Sequence, residues 1–91
     1  MLSDKQKHVD FLAGLTEQNI YNSLNEGEKN SCILFTNIIF SLREIGSSYN
    51  APGITLAYGR HNSPHWTTQE IVQMVMDIVK NSLKNYEITK S

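Results

Sequence analysis

The sequence predicts a small all-α domain of three or four helices, with a long ordered connection before the last one. Three observations predict it. The most apolar stretch, Glu28 to Gly46, spaces its apolar residues with a helical period and shows no alternation. The segment from Thr67 to about Tyr86 shows the same period. Both carry helix-start and helix-stop residues at their ends. The 91 residues make one domain, 1–91, and the content of 40% apolar and 19% charged residues suits a globular chain.

Residues 3–24 read as helical. Ser3 with Gln6 resembles a capping box. Leu2, Val9, Leu12, Ala13, Ile20 and Leu24 share one side of a continuous helix. Gly14 weakens that helix by about 1 kcal/mol relative to alanine. Thr16 is placed to cap a second helix from Glu17 to Leu24. Two helical pieces or one bent helix both fit, and a bend helps to bury Phe11 and Leu15.

In the central segment, Asn25 is the expected N-cap, with Glu28 completing a capping box, and Gly46 the left-handed stop. Cys32, Leu34, Phe35, Ile38, Ile39, Leu42 and Ile45 form one broad face, so Cys32 is expected to be a packed thiol. As the only cysteine it forms no internal disulfide, and one thiolate makes no zinc site. The run falls short of the roughly 20 apolar residues that span a bilayer. Thr36, Asn37, Ser41 and Arg43 also interrupt it, so it is a core helix. Ile33 and Phe40 lie on the opposite side. Either another helix of the chain covers them, or they form a stripe for self-association or a partner.

Residues 46–66 hold three of the five glycines and both prolines. They are expected to form an ordered loop, with Ile54 to Tyr58 as one short extended piece. Pro52-Gly53 and Asn62-Ser63-Pro64 read as turns. The last helix starts at Thr67, which pairs with Glu70 in a capping box. Ile71, Val72, Val75, Ile78, Val79, Leu83 and Tyr86 form its apolar face. Met74 and Met76 stand at the edges of that face, where an adaptable side chain either fills gaps or meets a partner. Residues 87–91 are expected to be a frayed tail.

The net charge is −1, with eight basic residues scattered among nine acids. A nucleic-acid binder needs a basic face, so this balance argues against one. Residues 9–25 do have the helix–turn–helix layout. However, Asp10 stands where a small apolar residue normally packs. The second helix carries Glu17, Gln18, Asn19, Asn22 and Asn25 but no lysine or arginine. A plain helical hairpin accounts for it better.

The 58–67 region gathers Tyr58, Arg60, His61, His65 and Trp66. Arg60 offers a planar fork for phosphate, His61 a further donor, and Tyr58 or Trp66 a stacking surface. The start of the last helix adds N–H groups favourable to an anion. The structural alternative has the aromatics capping the bundle, Arg60 paired with a surface acid or a helix C-terminus, and His65 bonded into the turn. His61 and His65 lack a clear third ligand, so no metal or other cofactor is assigned. No nucleophile–base pairing appears, so the chain is read as non-enzymatic. The expected function is docking on another protein or on itself, as an inhibitor, immunity or adaptor protein. A phosphate-bearing small ligand is the alternative. The N-terminal residues lack a signal-peptide pattern, which points to a cytoplasmic location without membrane attachment.

Overall fold

The computed structural model describes residues 4–90. They form helices α1 (Asp4–Ala13), α2 (Glu17–Asn25), α3 (Glu28–Glu44), α4 (Ala51–Gly59) and α5 (Thr68–Lys90), with a 3-10 turn at Ser48–Asn50. No strand occurs among the described residues. The all-α class is as predicted, with five helices in place of three or four. The Ser3–Gln6 cap and Leu2 lie outside the described residues. The domain measures 42 × 22 × 18 Å. The longest helix is α5, whose 23 residues extend about 34 Å at 1.5 Å per residue. Among the described residues, no helix is long and apolar enough to cross a membrane.

The 3–24 region forms two helices. The Thr16 hydroxyl accepts from the Asn19 N–H at 3.1 Å, and Asn19 Oδ1 accepts from the Thr16 N–H at 3.0 Å. This reciprocal cap starts α2 and turns the chain so that Leu15 is buried. The start of α3 differs from expectation. Asn25 is the last residue of α2, and Gly27 is the N-cap at φ +120°. The connection is so short that the reversal needs a positive φ, which glycine adopts without a Cβ penalty. At the other end Gly46 is left-handed, at φ +85°. The Ser47 N–H donates to the Leu42 carbonyl at 2.7 Å and the Gly46 N–H to Arg43 at 3.1 Å. Those two bonds form a Schellman motif, which ends α3 and sends the chain back along it.

The inner ridge of α3 is Ser31, Phe35, Ile38, Ser41 and Leu42, followed by Ile45. Cys32 is exposed, contrary to expectation. Ser31 takes the inward position facing α2 and is fully buried. Its hydroxyl donates to the carbonyls of Gly27 at 2.8 Å and Ser23 at 3.3 Å. Ser23 donates to Asn30 O at 3.1 Å. On α1, His8 Nδ1 lies 2.9 Å from Ser41 Oγ. On α5, Ser82 donates to Ile78 O at 2.8 Å and accepts from Asn50 Nδ2. No buried side-chain polar atom among the described residues lacks a partner.

The largest departure from expectation is α4. Residues 54–58 are helical, and the 46–66 connection is an open loop only at its ends. Ile54 and Ala57 are both fully buried while Leu56 is 50% exposed. That is a helical spacing, incompatible with alternation. Pro52 sits in the first turn, where its missing N–H costs nothing. Gly53 lies against α5, where an added Cβ would stand 2.8 Å from Ile78 Cδ1. The α4 helix therefore wedges between α3 and α5.

The α5 cap forms as expected. The Thr67 N–H donates to Glu70 Oε1 at 3.1 Å, and the Glu70 N–H donates to Thr67 Oγ1 at 3.1 Å. Ile71, Val72, Val75 and Val79 are buried. The helix continues to Lys90, so residues 87–90 are no frayed tail. Asn85 Nδ2 donates to the Tyr49 hydroxyl at 2.6 Å and secures this end.

Gly46→Ala forces a Cβ into the left-handed region and is expected to cost about 1–2 kcal/mol. A fall in Tm of several degrees checks this. An unchanged Tm would show that the reversal after α3 tolerates another geometry.

Candidate functional site

Two regions hold the candidate residues. The first is the corner between α4 and α5. Successive turns run from Tyr58 to Trp66: the His61 N–H donates to Tyr58 O at 3.1 Å, Ser63 to Arg60 O at 2.9 Å, and Trp66 to Ser63 O at 3.4 Å. They fold Arg60 back over Trp66, with the guanidinium carbon 3.9 Å from the ring centroid. This is a cation–π stack, and it replaces the acid pairing considered from the sequence. The His65 N–H donates to Ser63 Oγ at 3.3 Å, while the His65 side chain is exposed. His61 is half-buried. The α5 N-terminus offers an anion less than expected, because the Glu70 carboxylate already occupies it through Thr67 N and Oγ1.

Tyr58 does not join this corner. It leans on Phe35, ring centroids 5.5 Å apart, and faces a cleft on the outer side of α3 beside Cys32. Partial burial raises its hydroxyl pKa, and the neighbouring Cys32 and Glu28 push it the same way. Tyr58 forms one wall of the cleft.

The second region is that outer side of α3. Ile33 is 52% and Phe40 54% exposed. Among the described residues no helix closes over them. Phe40 meets His8 of α1 in a T-shaped contact, with ring centroids 5.3 Å apart. Cys32, Ile33, Thr36 and Tyr58 line the cleft between α3 and α4, and Lys29 stands at its rim. The two methionines separate. Met76 is 7% exposed and packs in the core, so it presents no surface to a partner. Met74 is half-buried beside Trp66 in a shallow depression on α5. Sequence reasoning missed Cys32 and Leu56 as surface residues. Reading 51–59 as a helix would have placed Leu56 outside once Ile54 and Ala57 were inside.

Among the described residues no group of three or more His, Cys, Asp or Glu side chains is placed to hold a metal ion. Comparison of the chain with protein families, with curated proteins and with solved structures finds no significant match to any of them.

Arg60→Ala removes the stack over Trp66 and is expected to cost about 0.5–1 kcal/mol. Trp66 is the only tryptophan, so its fluorescence should shift while helix content stays constant. A loss of several times that size would make the corner a structural keystone instead.

Proposed function

We propose that this chain is a small non-enzymatic protein that acts by docking on another protein or on a copy of itself through the outer side of α3. It would serve as an inhibitor, immunity or adaptor protein. The half-exposure of Ile33 and Phe40 on a helix whose inner ridge is fully packed carries this reading. Large apolar side chains held on a rigid helix lose little conformational freedom on binding, which favours them as interface anchors. The cleft beside Ile33 adds a place for a partner's side chain, walled by Tyr58 and Thr36.

A second reading places a phosphate-bearing small molecule at the Arg60–Trp66 corner. The orientation of the guanidinium over the ring favours it. Against it, Glu70 fills the nearby helix start and Tyr58 faces elsewhere.

Photo-crosslinking in the source cells tests the docking reading. A crosslinking residue at position 33 should yield a covalent adduct with a polypeptide, and one at position 80, on the exposed polar side of α5, should not. Phe40→Glu should abolish the adduct with stability changed by only about 0.5 kcal/mol, as for a surface residue. Adducts equal from both positions, or from neither, would contradict the reading. Unfolding by Phe40→Glu would assign that ring to the intrachain core.

A further inference from the structure

We infer that the polypeptide docking on α3 is a second copy of this chain, with the two α3 helices antiparallel about a two-fold axis at Thr36–Asn37. The inference rests on the docking reading above and names its partner.

The outer stripe of α3 runs Lys29, Ile33, Thr36 and Asn37, Phe40, Glu44, and every member is exposed. Steps of four, seven and four residues keep Lys29, Ile33, Phe40 and Glu44 on one helical face. The stripe is also its own complement. Turned end for end about a point between Thr36 and Asn37, Lys29 falls opposite Glu44, and Ile33 opposite Phe40. Each match occurs twice, as an isologous interface requires. A parallel arrangement would instead set Lys29 against Lys29 and Glu44 against Glu44, so the charges select one orientation.

Two further observations fit. Lys29 lies in the first turn of α3 and Glu44 at its last residue. Each has the sign that the helix dipole disfavours there. Neither forms an ion pair within the chain among the described residues. An opposite charge from a second copy relieves both ends. The cleft lined by Cys32, Ile33 and Thr36 also lies where Phe40 of the second copy arrives. Each Phe40 would fill one cleft, and helix axes about 8–10 Å apart permit that insertion. The aromatic insertion would supply affinity, and the rim charges orientation.

The test is sedimentation equilibrium on the full chain. Wild type should form a dimer of twice 10.4 kDa. Lys29→Glu and Glu44→Lys should each weaken it, roughly tenfold or more, because every dimer then holds two like-charged pairs. Mixing the two single variants, one of them isotope-labelled, should give a heterodimer with both pairs restored. The double variant should recover wild-type affinity. Circular dichroism confirms that each variant is folded. A dimer insensitive to both charge variants overturns the inference, whatever Phe40→Glu does. A monomeric wild type that still gives position-33 adducts with another polypeptide overturns self-pairing alone. A monomer without adducts overturns the docking reading as well.

Discussion

How closely α3 can approach its neighbours governs the rest of the structure. Its backbone runs against α1, α2 and α4, and α5 rests on those same three helices from the other side. Three short helices can serve two long ones only if the contacts are tight. Serine makes them so. Ser23 and Ser31 join α2 to α3, Ser41 joins α3 to α1, and Ser82 joins α5 to Asn50 ahead of α4. Each hydroxyl takes little volume and finds an acceptor or donor, so its burial costs no unmet hydrogen bond. Gly53 does the same for α4 by leaving room for Ile78.

Turning the inner ridge toward these contacts fixes what faces outward. With Ser31 inside, Cys32 and Ile33 are rotated out. With Ser41 inside, Phe40 is rotated out. The exposed apolar stripe is therefore a consequence of where the small residues lie. A ridge built on Cys32 would have buried the thiol and changed the outer face. Tyr58 depends on the same geometry, since α4 docks on α3 in the register that sets Tyr58 against Phe35.

Features written in local chemistry were legible in the sequence. Thr16, Gly46, and Thr67 with Glu70 each mark a helix boundary through bonds within a few residues. The apolar period of α5 placed Ile71, Val75 and Val79 correctly in the core. Features set by tertiary packing were not legible. The α4 segment has turn residues and β-branched residues, and it becomes helical because Ile54 and Ala57 bury together between two long helices. The buried serines look polar in sequence and so were left out of the core. Met76 looked like an edge residue, but contact with α1, α2 and α4 widens the buried arc of α5. Within the 58–67 cluster the sequence showed that Arg60 and Trp66 are near in the chain, but their stack depends on the successive turns after α4. The direction of Tyr58 required knowing that α4 is a helix.

Native-state amide hydrogen exchange tests this account most directly. If the serine-spaced contacts of α3 organise the domain, the amides of Phe35, Ile38 and Leu42 should exchange only through global unfolding, together with those of Val72, Val75 and Val79. The ends of α1 and α4 should open more readily. Slower exchange in α1 or α4 than in the middle of α3 would contradict the central place given to that helix.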